Sequence, residues 1–274
     1  MKKILIAFDG YRFSDAVFEF ARRLNEKNPI LLTGLFIPQV SYANMWIYTG
    51  TAVAGSYVPA LEEDEDEVVL QNIEKFKKLC IHNNIAFRVH KDYDDFALPE
   101  LKQETRFADL LILSSEKFFQ NMIGNDGEFY MREAIHDAEC PVIVIPEKFK
   151  FPERNIIGYD GTASSVHAIK QFAYLLPELS QNETLLVYAG DNNDQQLPNE
   201  HLVEELVTQH FKKLDIVKLN MKPNKYFSTW MEDEPAPLLI CGALGRSSFS
   251  QVFKKSFVEA TIEEHRLPVF IAHD

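Results

Sequence analysis

The chain has 274 residues, 46% hydrophobic and 25% charged, enough apolar surface to offset chain entropy, which excludes disorder as the main state. Its formal net charge of -13, from 41 acids against 28 bases, argues against unspecific nucleic-acid binding and against docking on an anionic membrane face, since both depend on Lys and Arg. The three cysteines, Cys80, Cys140 and Cys241, are odd in number and lack CxxC spacing, which argues against a disulfide or zinc framework and fits a reducing compartment.

In chain order, the first element is a strand at 3–8, an apolar run too short for a signal-peptide core. A helical pattern over 14–27 follows, with Val17, Phe20, Ala21 and Leu24 at three- and four-residue spacing. Further strands are read near 30–37, 85–90, 109–114 and 141–145, and helices near 61–82, 96–105 and 128–138. Glu147–Glu153, a run of Lys, Phe, Pro and Glu, reads as a linker. Beyond it, strands are expected near 155–159, 184–189, 214–219, 237–241 and 268–272, and helices near 165–179, 199–213, 225–232 and 256–265. No apolar run approaches the roughly 20 residues that span a bilayer, so a soluble cytoplasmic protein is expected.

An internal repeat organises these elements. Asp9-Gly10-x3-Ser14 and Asp160-Gly161-x3-Ser165 match at a constant offset of 151, each after a short apolar run and before a helical pattern. Ser14 and Ser165 are both expected as helix N-caps, where a side-chain oxygen satisfies an orphan N–H. The repeats also end alike: Cys140-Pro141-Val142 corresponds to Leu267-Pro268-Val269. Two similar domains are therefore read, 1–147 and 153–274. Alternating strands and helices with continuously apolar strand runs predict a doubly wound, five-stranded parallel α/β sheet in each, covered on both faces. Such sheets take ligands at the carboxyl ends of their strands, at the topological switch point.

Chemistry is thus expected after the first and fourth strands of each half. After the fourth strand of the second half comes Gly242-Ala243-Leu244-Gly245, then nine residues to Lys255-Ser256, where the last helix opens. Glycines let backbone approach a ligand closely, and a helix start suits phosphate.

With this motif, the chain resembles the universal stress protein family in its tandem two-domain form. The resemblance covers both halves. The family opens with a strand ending Asp-Gly-Ser-x-x-Ser, matched here by Asp9-Gly10-Tyr11-x-x-Ser14 and Asp160-Gly161-Thr162-x-x-Ser165. It implies an intramolecular pseudo-dimer in which the last strands, 141–146 and 267–272, pair across a pseudo-twofold axis. A further homodimer stays open. Nucleotide-binding members carry Gly-x2-Gly-x9-Gly-Ser/Thr, so the resemblance implies ATP with Mg2+ in the second half. Asp160 and Gly161 would then approach the ribose or base, Gly242 and Gly245 the phosphates, and Ser256 the terminal phosphate. Lys255 replaces the motif's third glycine. It would strain the turn, add an ammonium beside the phosphates, or fill the pocket.

The first half departs further. Ser114 and Lys117 replace the early glycines, and Gly127-Glu128 replaces Gly-Ser. A carboxylate there would repel phosphate, and Phe118, Phe119 and Phe129 would add bulk, so this half is expected not to hold nucleotide. The implied function is a stress-type regulatory protein with slow ATP hydrolysis at most. The alternative is a non-nucleotide-binding interaction module acting through domain faces and the uncharged aromatic loop 39–60, which is either a partner surface or a cover over the first sheet. A hydrolase-type enzyme is ranked last, because neither Asp-Gly turn resembles a Ser- and Gly-rich phosphate loop. The acidic run Glu62–Glu67 reads as the solvated start of a helix. The histidines show no HxxH spacing, so no metal site is expected.

Overall fold

The structure, a computed structural model, describes residues 1–37, 63–91, 97–119, 126–189, 197–219, 234–242, 261–262 and 267–272. The first half runs β1 (Lys2–Phe8), α1 (Asp15–Lys27), β2 (Ile30–Phe36), α2 (Glu63–His82), β3 (Ala86–Lys91), α3 (Ala97–Thr105), β4 (Leu110–Ser114), α4 (Asp126–Asp137) and β5 (Val142–Ile145). The second runs β6 (Arg154–Gly158), α5 (Ala163–Leu175), β7 (Glu183–Ala189), α6 (Glu200–His210), β8 (Leu214–Leu219), β9 (Pro237–Gly242) and β10 (Val269–Ala272). The helix expected at 225–232 and most of that at 256–265 lie outside the described residues, as does loop 39–60; Thr261 and Ile262 are helical.

Among the described residues the strands form one sheet in the order β3-β2-β1-β4-β5-β10-β9-β6-β7-β8. Each half has the same internal order, with its switch point between first and fourth strands: β1 beside β4, and β6 beside β9. Pairing within each half is parallel. The halves join where β5 and β10 run antiparallel, with Ile143 opposite Phe270, as the resemblance implied. That junction hides two strand edges that would otherwise invite aggregation.

The core follows the faces of the sheet rather than the halves. One face gathers Ile4, Phe8, Phe20, Ile157, Phe172 and Phe270; the other gathers Leu5, Leu111, Ile156, Leu239 and Ile271. Each such side chain contributes roughly 1.5–3 kcal/mol on burial. The central strands are buried on both sides, but the outer strand β3 shows half-buried and exposed positions throughout, as does β8 from Leu214 to Lys218. The expectation of continuously covered strands therefore fails at the two edges. Arg88 and Lys91 on β3 and Lys218 on β8 instead charge those edges, which discourages further pairing.

Helix α1 is set by its sequence. Ser14 caps it, accepting from the Val17 N–H at 3.2 Å, and Val17, Phe20, Ala21 and Leu24 face the sheet. The acidic run opens α2, where Val69, Ile73, Phe76 and Cys80 are buried at helical spacing. The segment 147–153 is no loose linker. Phe149 and Phe151 pack on Phe20 of α1, with ring centroids 5.8 and 5.2 Å apart, and the Arg23 guanidinium lies 5.1 Å from the Phe151 ring. Aromatic pairs of this kind add about 0.5–1.5 kcal/mol beyond burial, which ties the connection to the first half.

Candidate functional site

At the carboxyl end of β6 the chain turns through Asp160-Gly161. Gly161 has φ +80°, a conformation that costs other residues about 1–2 kcal/mol. A Cβ there would also lie 2.7 Å from Pro198 Cβ, so glycine is required on both counts. Asp160 is half-buried. Its Oδ1 accepts the Thr162 N–H at 2.9 Å and the Thr162 hydroxyl at 2.6 Å, and no ion pair to it forms among the described residues. Its charge is felt by the Cys241 thiol on β9 and by the Tyr188 and Tyr159 hydroxyls, all pushed upward in pKa mainly by burial.

The neighbouring strand β9 ends at Gly242. A Cβ on Gly242 would meet Ser164 C at 2.6 Å and Ser165 N at 2.7 Å, so the strand end lies directly against the first turn of α5. The fold thus gathers Asp160, Gly161 and Gly242 at one end of adjacent strands. Gly245, Lys255 and Ser256 lie outside the described residues. The fit to a nucleotide is mixed at Gly242: the room left by its missing side chain is taken by α5 itself. At Asp160 the fit is better, because a half-exposed carboxylate with no cationic partner among the described residues sits where the switch point predicts a ligand.

Ser165 is not the cap of α5. Thr162 caps it, its hydroxyl accepting the Ser165 N–H at 3.2 Å, and Ser165 sits buried in the first turn. The reason is local: position 162 carries a β-hydroxyl, while the corresponding Tyr11 does not, so α1 waits for Ser14. Relative to the repeat, α5 begins three residues before α1.

The same place in the first half is closed. Gly10 has φ +85°, so the turn is alike. Asp9, however, is 4% exposed, and Arg12 encloses it. Oδ1 accepts the backbone N–H of Tyr11 at 3.1 Å and of Arg12 at 2.9 Å; Oδ2 accepts Arg12 Nε at 3.2 Å and Nη2 at 3.0 Å. Burial raises the Asp9 carboxyl above its ordinary value, with Arg12 and the backbone donors pulling it down. The Asp-x-x-Arg spacing was a signal in the sequence for this closure; Asp160 has Ala163 at that place.

Next to it, the end of β4 holds a second internal pair. The Ser114 hydroxyl donates to Glu147 Oε1 at 2.8 Å, and Lys117 Nζ lies 2.9 Å from Glu147 Oε2. The Ser14 hydroxyl also donates to Glu147 Oε1. Sequence reading missed Glu147, which lies 133 residues from Ser14. Gly127 and Glu128 fall in the first turn of α4. Phe118 and Phe119 are buried and stacked edge to face at 4.7 Å, as expected for bulk, but Phe129 is exposed, its ring edge to face with Tyr130.

A cavity of about 730 Å³ lies between α1, residues 147–150 and the segments before and at the starts of β9 and β10, away from Asp160; Glu19, Glu147, Lys148, Phe149 and Glu234 help line it. The three cysteines are free and buried, and burial pushes each thiol up to about 12. Among the described residues no cluster of His, Cys, Asp and Glu could hold a metal, and no helix is long and apolar enough to cross a membrane.

No protein-family model matches the chain, and no curated protein matches it. Among solved structures, a universal stress protein from Archaeoglobus fulgidus DSM 4304 superposes with a TM-score of 0.66 at 14% identity, covering 99% of this chain and 96% of that one. The chain therefore has the universal stress protein fold along essentially its whole length. A deacetylase of the teicoplanin biosynthesis pathway aligns with a TM-score of 0.31 at 15% identity over 55% of this chain and 73% of that one, too low to carry an argument.

Proposed function

We propose that the chain is a cytoplasmic, universal-stress-type regulatory protein built of two domains, 1–147 and 153–274, the second of which binds an adenine nucleotide, ATP with Mg2+. The observation that carries this reading is the state of Asp160. It stands half-exposed at the switch point with no cationic partner among the described residues, where its counterpart Asp9 is locked by Arg12. Asp160 and the Gly161 turn would meet the ribose or base. Gly242 and Gly245 would let backbone N–H groups reach the phosphates, and Ser256 with its helix start would take the terminal phosphate. Lys255 would bring an ammonium to the same phosphates. The motif places no general base, so any hydrolysis is slow. Free, buried cysteines accord with a reducing compartment.

Acid extraction of the purified chain followed by chromatography tests this. About one adenine nucleotide per chain, or a melting temperature raised by millimolar Mg-ATP, is expected. An empty extract with no shift would remove the nucleotide.

One observation favours a second reading, an interaction module without nucleotide. The absence of a side chain at Gly242 is accounted for by contact with Ser164 and Ser165, with no need of a ligand. The domain faces and loop 39–60 would then bind a protein partner, and Mg-ATP would leave the melting temperature unchanged.

A further inference from the structure

We propose that Ser14, Ser114 and Lys117 form an oxyanion site in the first half, which the chain keeps filled with its own Glu147 carboxylate. The three donors come from different parts of the fold: the cap of α1, the last residue of β4 and the turn after it. The two hydroxyls are buried, at 2% and 3% exposure. Their orientation does not depend on Glu147. The Ser14 hydroxyl accepts the Val17 N–H at 3.2 Å, and the Ser114 hydroxyl accepts the N–H groups of Glu116 at 3.3 Å and Lys117 at 3.1 Å. With their acceptor sides engaged, both direct their hydrogens at Glu147 Oε1. Lys117 Nζ is steadied by the Phe13 carbonyl at 2.9 Å and meets Oε2 at 2.9 Å. Two O–H donors and an ammonium, held by backbone contacts of their own, make a preorganised receptor for a carboxylate or phosphate oxygen. The adjacent start of α1 adds the favourable end of its dipole.

Glu147 enters this receptor from the end of β5, and its own N–H reaches Glu116 Oε1 at 3.4 Å. Its side chain is 16% exposed, and it also lines the cavity of about 730 Å³ between the halves. The space through which a free oxyanion would approach therefore adjoins the residue that blocks it. Lys148 and Lys150 line that cavity as well, together with Glu19 and Glu234. Because Glu147 is tethered, its effective concentration at the donors is in the millimolar range or above, so a free anion competes poorly while it stays in place.

The probe is inorganic phosphate, compared with chloride at matched ionic strength, on the full chain and on Glu147→Ala, Glu147→Gln and the double variant Lys117→Ala/Glu147→Ala. Phosphate at millimolar concentration should raise the melting temperature of Glu147→Ala by several degrees more than that of the native chain, and by at least as much more than that of the double variant. Equilibrium dialysis should then find about one additional phosphate per Glu147→Ala chain, bound at least about tenfold more tightly than by the native chain. If Glu147→Ala is unfolded in chloride, the same comparison is made with Glu147→Gln, which keeps the volume and loses the charge. Equal phosphate shifts in native and variant chains would overturn the proposal. So would a gain that survives loss of Lys117.

Discussion

The carboxyl ends of β1 and β6 start from the same Asp-Gly pair with glycine in the same conformation, and they end as opposites. At β1 the carboxylate is enclosed by four donors, three of them on Arg12, and Glu147 fills the space beside it. At β6 the carboxylate, among the described residues, caps only Thr162 and stands half-exposed. The lesson is that a doubly wound sheet supplies the place for a site but not its occupancy. Three residues around the turn, Arg12 or Ala163, Tyr11 or Thr162, Ser114 or Gly242, decide whether the protein closes the place with its own side chains.

The largest break in this comparison should come from Arg12→Ala. It leaves the buried Asp9 carboxylate without its cation and should cost about 3 kcal/mol by denaturant unfolding at neutral pH. The pH dependence gives a second check. Burial already raises the Asp9 carboxyl, and loss of Arg12 raises it further, so the folded variant holds the Asp9 proton more tightly than its unfolded chain does. That contribution is fully present below the unfolded carboxylate pKa and is lost as pH rises through the folded one. The Arg12→Ala deficit should therefore narrow on acidification; a deficit that widens would contradict the closed state of Asp9.

Next in size is Gly242→Ala, where the added methyl meets α5 backbone at 2.6–2.7 Å. About 1–3 kcal/mol should be lost, whereas Ser114→Gly at the equivalent place should lose about 1 kcal/mol with the Glu147 hydrogen bond. The shifted helix start is tested by its caps. Thr162→Ala should cost about 1 kcal/mol, as should Ser14→Ala. Ser165→Ala removes a hydroxyl that donates to the Thr162 carbonyl at 2.9 Å and should cost less, measured by thermal unfolding. The smallest effect is on thiol chemistry: with all three thiols pushed up to about 12, the native chain should react negligibly with a thiol reagent at neutral pH, in both halves alike.

Local pattern made much of this fold legible. The apolar strand runs, the helix over 14–27 and the repeat at offset 151 placed most strands of two similar five-stranded sheets, and the family resemblance implied the join of β5 to β10. What local pattern could not weigh was competition between nearby groups and contact between distant ones. Ser165 looked like a cap because Ser14 is one, but Thr162 reaches the orphan N–H groups first. The segment 147–153 has the composition of a linker, and only the fold brings Phe149 and Phe151 onto Phe20. Glu147 is invisible as a site residue until β5 delivers it to Ser14 and Ser114. Of the second site, Asp160, Gly161 and Gly242 stand at one end of the adjacent strands β6 and β9, while Gly245, Lys255 and Ser256 lie outside the described residues.

The difference between the two strand ends is tested most directly by calorimetric titration of the full chain with Mg-ATP, run alongside Asp160→Ala and Asp9→Asn. One nucleotide per chain is expected, lost in Asp160→Ala and kept in Asp9→Asn. Two nucleotides per chain, binding that survives Asp160→Ala, or no binding at millimolar Mg-ATP would contradict an open second site beside a closed first one.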